Sequence, residues 1–449
     1  MIILSIPYRN NQSHISTSQA DLIEYRLDYC DDPELIDFAQ FDHNTILTYR
    51  GLDSHSALFM SMLESSALVD IDFSALPHFD FEIYTTKLIV SIHLDSFDAT
   101  TINDLLNYDL PVYARKIIIN AQSFQDILDT YTIIRSSGKQ RVLFNISGKW
   151  SIFQRSLYRF FDSMGVYLYY QESTYPGQLS LQDFQLIGGD LITPASALYA
   201  IVGGKQVNQS QSMKAYNTMF RKQKLNAHYL PIPAVNPQEA LDVLNWLASH
   251  FTLKGISITS PFKQSLAEMM GITNEIINTM GFNPKVHPVR PAFWVNTDLD
   301  ALRESLNKLL IQTSESILIY GSGACAEAFI LKLQQWGYTN LFIRSRNTQK
   351  SAHLREKYLI AESSLTNVRL LINASPVLNF DHEPGLSLPH FEALIELPYS
   401  HNVSSSLIQY CQRHDIPYIS GLDFFDTQFV AQCKLLGYRN NAVTMWSQK

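Results

Sequence analysis

The feature that most constrains the fold is a recurrence. Short runs rich in apolar and β-branched residues come back eight times before residue 190, at 2–6, 22–27, 45–49, 67–73, 87–92, 115–120, 141–146 and 166–170. Amphipathic segments lie between several of them, at 54–66, 123–135 and 151–162. Strands alternating with helices imply a parallel sheet. Eight repeats predict a (β/α)8 barrel, compact beside the ~250 residues usual for that fold.

The pattern pauses near 188–196 and restarts at 199–202, 227–230 and 255–258. A third block opens at 316–320 with a Gly-containing turn and the apolar run 326–333, then continues through 340–343, 369–372, 393–396 and 417–419. That block reads as an open, Rossmann-like nucleotide-binding sheet. The expected α/β organisation is therefore an N-terminal barrel over 1–195 and a two-lobed α/β portion. The lobes are 196–300 and 301–420, and a closing helix within 421–449 returns to the first lobe.

Composition narrows the partners. Only 17% of the 449 residues are charged and the net charge is −8, which argues against nucleic acid or an anionic membrane. No apolar run approaches the ~18 residues of a membrane span. Cys30, Cys325, Cys411 and Cys433 form no CxxC pair, so the expectation is reduced thiols in a cytoplasm, with no metal site. Glycine is scarce, at 18 residues.

Polar residues gather at the strand ends of the first block. Arg50 ends the third run, Asp72 lies near the end of the fourth, His93 follows the fifth and Lys116 sits in the sixth. Glu24 and Arg26 share parity in the second, so both can face the barrel interior. In such barrels the C-terminal strand ends form the active-site mouth. Each residue alone has a structural explanation: Arg50 as a surface residue, His93 as a core histidine. Lys116 precedes Ile117-Ile118-Ile119, and a lysine buried in an apolar strand is a candidate carbonyl nucleophile.

Taken together, Glu24-Tyr25-Arg26, Thr48-Tyr49-Arg50, Val69-Asp70-Ile71-Asp72, Ser91-Ile92-His93, Lys116-Ile117, the stretch 148–155 and Pro176-Gly177-Gln178 resemble type I 3-dehydroquinate dehydratase. That resemblance implies a Schiff base on Lys116, His93 as general base and then acid, and Arg155 on the substrate carboxylate. Glu24, Arg26, Arg50, Thr174 and Gln178 would orient the ring and its hydroxyls. Ser54 stands where the family has Glu, and Thr174 where it has Ser.

The rest of the chain resembles shikimate dehydrogenase. Val202-Gly203-Gly204 with Ser210-Gln211-Ser212 and Asn217, then Thr259-Ser260-Pro261-Phe262-Lys263, Asn278-Thr279 and Asn296-Thr297-Asp298 occur in the family's order. The resemblance makes Lys263 and Asp298 catalytic. It places Ser210, Ser212, Thr259, Asn278, Tyr399 and Gln428 on the substrate. Ser257 stands where the family often has Asn.

The run Ile317-Leu318-Ile319-Tyr320-Gly321-Ser322-Gly323-Ala324-Cys325 has the strand, Gly-x-Gly and helix order of a phosphate-binding turn. Gly321, Ser322, Gly323, Ala324, Cys325, Ser345, Arg346 and Asn373 are the expected cofactor contacts. Arg346, rather than an acid, follows the next strand, which favours NADP(H).

The combined resemblance implies a bifunctional enzyme. It would dehydrate 3-dehydroquinate to 3-dehydroshikimate and reduce that product to shikimate with NADPH. It would act on small molecules alone. Three alternatives stay open: a shikimate dehydrogenase with a weakened barrel, a quinate/shikimate dehydrogenase, and a non-catalytic scaffold keeping both folds.

Overall fold

A computed structural model of the chain describes residues 1–9, 18–50, 57–78, 84–284, 286–361, 365–380, 388–399 and 405–438. The chain falls into two compact units, Met1–Leu253 and Lys254–Lys449. Residues 196–253 thus belong to the same unit as 1–195.

The first unit begins with β1 (Ile2–Pro7), β2 (Leu22–Arg26), β3 (Thr45–Thr48), β4 (Leu68–Asp72), β5 (Leu88–Leu94), β6 (Ala114–Asn120), β7 (Val142–Ser147) and β8 (Val166–Tyr169). All eight match the runs read from sequence to within two residues at either end. They pair in parallel in the order β7-β6-β5-β4-β3-β2-β1-β8, with a two-residue β9 (Leu179–Ser180) outside β8. The helix expected over 54–66 covers Ala57–Glu64, and residues 54–56 lie outside the described residues. The 151–162 stretch divides into the helix Ser151–Ser156 and a tighter turn, Tyr158–Phe161.

The sheet is curled upon itself. Ile3, Leu22, Ile46, Leu68, Ile89, Ala114, Leu143 and Tyr167, one from each of β1–β8, meet in a single buried cluster. In a flat sheet the outer two of eight strands would stand roughly 34 Å apart. Yet β7 and β8 share no ladder among the described residues; the ladder is open there rather than continuous. Backbone and side-chain bonds bridge the seam instead. Met164 N donates to Val142 O at 2.8 Å, and the Asn145 amide links β7 to Gly165 O at 3.1 Å and Tyr167 N at 3.0 Å. An asparagine carries donor and acceptor on one head, so it reproduces a peptide group across the gap.

Also in this unit, β10 (Ala197–Gly203) and β11 (Ala227–Pro233) pair in parallel. The helix Pro237–His250 is capped by Asn236 and has proline in its first turn, the favoured start. It packs against Phe124, Phe153 and Phe161 through Trp246. The indole stacks on Phe161 at 5.0 Å and meets Phe124 and Phe153 edge-on or tilted at 5.8 and 6.2 Å. Glu239 Oε1 accepts from Phe124 N at 2.7 Å, and Asn208 Nδ2 donates to Lys149 O at 2.7 Å.

In the second unit, β13 (Thr279–Phe282) pairs antiparallel with β12 (Thr252–Ile258) and with β14 (Pro291–Val295). A separate parallel sheet contains β15 (Ile317–Tyr320), β16 (Leu341–Arg344), β17 (Asn367–Asn373), β18 (His390–Glu396) and β19 (Tyr418–Ile419), in the order β16-β15-β17-β18-β19. The chain passes from β15 to β16 on one side and then crosses to β17 on the other, so the strand order reverses at β15, and ligands of such sheets bind in the crevice at that switch point. The closing helix runs Gly421–Leu435. Among the described residues no helix is long and apolar enough to cross a membrane.

Trp246→Ala in the full chain is expected to destabilise the first unit by about 3 kcal/mol, the scale of a large aromatic deletion. Urea unfolding followed by tryptophan fluorescence and circular dichroism checks it. A loss confined to local helix signal would show that the aromatic cluster is not holding 237–250 to the rest.

Candidate functional site

Two sites emerge, one in each unit. The first is built by period two. Two residues after the apolar ring, toward the strand C-termini, β1–β7 carry Ser5, Glu24, Thr48, Asp70, Ser91, Lys116 and Asn145, all buried. Side chains at i and i+2 share a face, so a polar layer stands directly on an apolar floor. Above it, β2, β5 and β6 supply Arg26, His93 and Ile118 to a cavity shared with Glu24, Lys116, Arg155, Thr174 and Gln178.

Burying charge there is tolerable only when every charge is paired. Lys116 Nζ lies 2.7 Å from Asp70 Oδ2 and 3.1 Å from Glu24 Oε1, and 3.9 Å above the centre of the Tyr167 ring. Glu24 also accepts from Ser5 Oγ at 2.5 Å and Thr48 Oγ1 at 2.9 Å. Arg50 Nη2 reaches both Asp70 oxygens at 3.2 Å. Burial works against the ionised form of both acids. Lys116 with Arg26 overcomes it at Glu24, and Arg50 with Lys116 at Asp70, so both pKa values are lowered.

His93 behaves oppositely. Burial first, then the positive charges of Arg50 and Lys116, push its pKa down to about 2, so the imidazole is neutral and, in this charged surrounding, a weak base. Arg155 is buried and commits Nε to Ile146 O and Ser151 Oγ, both at 3.0 Å, and Nη1 to Asn145 Oδ1 and Tyr167 O. Its Nη2 has no protein partner among the described residues. Arg26 holds Asp28 bidentately at 2.9 and 2.7 Å, and Thr174 binds Ser5 and Gln178 through its hydroxyl.

The structure thus gathers seven of the eight first-block residues read from sequence around one cavity, and sets Arg50 behind it on Asp70. Asp72 lies outside the cavity and binds Ser74. Asp70, Tyr167 and Tyr175 went unassigned in the sequence. Tyr175 faces His93 with ring centres 5.9 Å apart. The signal for Asp70 was available: it is the residue two beyond the apolar Leu68, in the same place as Glu24 after Leu22. The cavity holds about 30 Å³.

The second site is roomier. A cavity of about 650 Å³ is bounded by Thr259 and Lys263 on one side, by Gly321, Ser322, Gly323, Ala324 and Cys325 after β15, by Ser345 and Arg346 after β16, by Ala374 and Ser375 after β17, and by Tyr399 after β18. Gly321 adopts φ 143°, and a Cβ there would come within 2.7 Å of Ala374 O, so the turn requires glycine. The helix Ala324–Gln335 follows with no side-chain cap, which leaves its first N–H groups for an anion.

At the cavity wall Lys263 Nζ meets Asp298 Oδ2 at 2.5 Å. Burial disfavours the ammonium, but Asp298, helped by Cys325, outweighs it and the lysine pKa is raised. Asn278 orients the acid: its Nδ2 donates to Asp298 Oδ1 at 2.9 Å, while its Oδ1 accepts from Thr279 Oγ1 and from Thr297 N and Oγ1. Gln428 donates to Thr297 Oγ1 at 3.0 Å, and Ser257 to Gln432 at 3.1 Å. Asn278 and Gln428 therefore support the Lys263–Asp298 pair directly or through Thr297. In the first unit, Ser210 caps the helix Gln211–Lys222 by accepting from Ser212 N at 3.2 Å.

Asn373 is fully buried rather than on the cavity surface. Its amide donates to Val377 O and Glu396 Oε1 and accepts from Ser375, which shapes the loop that lines the cavity. Glu396 is buried, and its Oε2 has no partner among the described residues. Burial pushes its pKa up to about 7 against the bonds from Asn373 and Ser405. An unfolded glutamate ionises near 4.3, so the stabilising proton is fully present below that pH and is lost as pH rises through about 7. Unfolding free energy of this unit should fall by up to roughly 3 kcal/mol across that window, and Glu396→Gln should flatten the dependence. Denaturant titrations at pH 5 and 8 on both chains check it.

Residues 202–281, which include Ser210, Ser212, Thr259, Lys263 and Asn278, match the family model described as shikimate dehydrogenase substrate binding domain. The shikimate dehydrogenase (NADP(+)) of Aquifex aeolicus is 27% identical over 203 residues, 44% of this chain and 74% of that protein. The Dictyoglomus turgidum protein of the same name is 26% identical over 163 residues, and the match spans 36% of this chain and 58% of that relative's length. A pentafunctional AROM polypeptide of Zygosaccharomyces rouxii is 25% identical over 41% of this chain and 12% of its own. Among solved structures, shikimate dehydrogenase from Aquifex aeolicus aligns with TM-score 0.46 and 21% identity over 57% of this chain and 98% of that one. The dehydroquinate dehydratase and shikimate dehydrogenase portion of S. pombe AroM aligns with TM-score 0.40 and 17% identity over 95% and 93%.

Proposed function

We propose that the chain catalyses two consecutive steps: Schiff-base dehydration of 3-dehydroquinate in a barrel formed by β1–β8, and NADPH-dependent reduction of 3-dehydroshikimate to shikimate by residues 196–449. The observation that carries the second step is the Lys263–Asp298 pair on the wall of a cavity bounded by a Gly-x-Gly turn. The match of 202–281 to a substrate-binding family model supports the substrate class.

The residues of the cavity suit NADP(H). The Gly321 turn and the uncapped helix after it would take the pyrophosphate, and Arg346 with Ser345 the 2′-phosphate. When bound, NADPH would supply a hydride, a proton with two electrons, to the ketone carbon. Lys263 delivers the proton to the ketone oxygen as charge builds there, and Asp298 holds the ammonium in place. Ser210 and Ser212 are assigned to the substrate carboxylate on the family resemblance.

In the first step, Lys116 must pass a proton to Glu24 or Asp70 before its amine attacks the ketone carbon. Water leaves as the imine forms. The imine acidifies the neighbouring C–H, His93 takes that proton and then returns it to the departing hydroxyl, and water finally hydrolyses the imine to release 3-dehydroshikimate and the Lys116 amine. Arg155 Nη2 is assigned to the substrate carboxylate. The functional partition 1–195, 196–300 and 301–420 with the closing helix cuts across the division into two units.

A second reading, a reductase joined to a weak dehydratase, is favoured by two observations. The first cavity has room for about one water, and Lys116 is held by two carboxylates.

The deciding experiment supplies 3-dehydroquinate and NADPH to the full chain and follows shikimate. Production of shikimate supports both steps. Turnover of supplied 3-dehydroshikimate but not of 3-dehydroquinate selects the second reading. Lys263→Ala should lower reduction at least 100-fold and leave dehydration unchanged. Borohydride with 3-dehydroquinate should label Lys116; dehydration without a label removes the Schiff base. Arg346→Ala should raise the KM for NADPH at least tenfold and spare NADH, and equal losses remove its phosphate role.

A further inference from the structure

Cys325 occupies an unusual place for a residue of a nucleotide-binding turn. It is the second residue of the helix Ala324–Gln335 that follows β15. Lys263 follows β12, and Asp298 opens the helix Asp298–Lys308. Yet Cys325 Sγ lies 3.0 Å from Lys263 Nζ and 3.6 Å from Asp298 Oδ2. The thiol therefore touches both members of the pair from the element that carries the cofactor turn, and it also lines the cavity.

An ammonium has three N–H donors in tetrahedral array. Asp298 takes one and Cys325 Sγ a second. With two directions committed, the third is fixed by geometry. Asp298 alone would leave the lysine head free to rotate about that one bond, and a proton donor that must be aligned gains little from a rotating head. Asp298 is itself immobilised by Asn278 and by its own N–H to Asn296 Oδ1 at 3.1 Å. Cys325 is the contact that completes the frame.

We infer that Cys325 is a positioning residue for the reduction, a thiol that fixes the remaining N–H of Lys263 toward the cavity and ties the lysine to the helix behind the cofactor turn. The inference rests on the reductase reading. It predicts effects on turnover rather than on cofactor binding.

The test uses the full chain with Cys325→Ala and Cys325→Ser. The alanine variant should lose about tenfold in kcat for 3-dehydroshikimate reduction with the KM for NADPH within twofold, and its kcat–pH profile should shift on the alkaline side. The serine variant, which keeps an acceptor, should recover at least half of kcat and the original profile. An alanine variant with unchanged kcat, or with a raised NADPH KM alone, overturns the inference and leaves Cys325 as cavity wall. A readout independent of activity is the rate at which iodoacetamide modifies Cys325, followed by peptide mass mapping. A neighbouring ammonium favours the thiolate, so Lys263→Met should slow modification several-fold at pH 8. Equal rates in the two chains overturn the inference itself. Lys263-dependent modification in a chain that reduces no 3-dehydroshikimate overturns the reductase reading and, with it, the role assigned to the contact.

Discussion

The charge buried between Glu24, Asp70, Lys116 and Arg50 is the constraint on which the first unit depends. These groups come from β2, β4 and β6 and from Arg50, two residues beyond β3 and part-buried, and neither acid nor Lys116 could be buried alone without a large desolvation cost. Pairing them fixes the relative heights of strands that are not neighbours. A slip of one residue would turn a charge into the surrounding helix layer, and a slip of two would bring it into the apolar ring. The apolar floor and the polar layer above it are thus one specification, written twice along each strand. The same pairing commits the Lys116 ammonium, which bridges two carboxylates.

In the second unit the organising constraint is close approach rather than charge. The chain is poor in glycine, but Gly321 remains where a Cβ would strike the carbonyl of Ala374, just beyond the neighbouring strand. At Gly323 a Cβ would meet nothing within 4 Å, so that position is sterically permissive. Ser322 and Ala324 beside it show how far the turn departs from glycine where no backbone crowds it. Scarcity and function coexist because only one position of the turn is sterically forced.

Much of this was legible in the sequence. The runs that became β1–β8 and β15–β19 are short, apolar and bounded by polar and turn residues, so strand positions were read to within three residues. The lysines and most cavity residues were legible because polar residues at strand C-termini are conspicuous. What escaped depends on three-dimensional pairing. Asp70 was passed over for Asp72, two residues on, because only the neighbouring strands reveal which of the two reaches Lys116. Asn373 and Asn278 read as ligand contacts, but each amide is largely used within the protein, on Glu396 and on Asp298. The bridge at Asn145 follows from the sheet's closing distance, which no single strand encodes.

The stacking of Trp246 on Phe161 bears on how such a chain can change over time. Separating the first 195 residues from the remainder of the chain would leave Phe124, Phe153 and Phe161 facing water, along with the N–H of Phe124 now bound to Glu239. A gene split at that point would yield a fragment with a sticky face. Two modules that share such an aromatic face are hard to part by any single cut. The joint is then a ratchet, and it persists without requiring that intermediates pass from one site to the other.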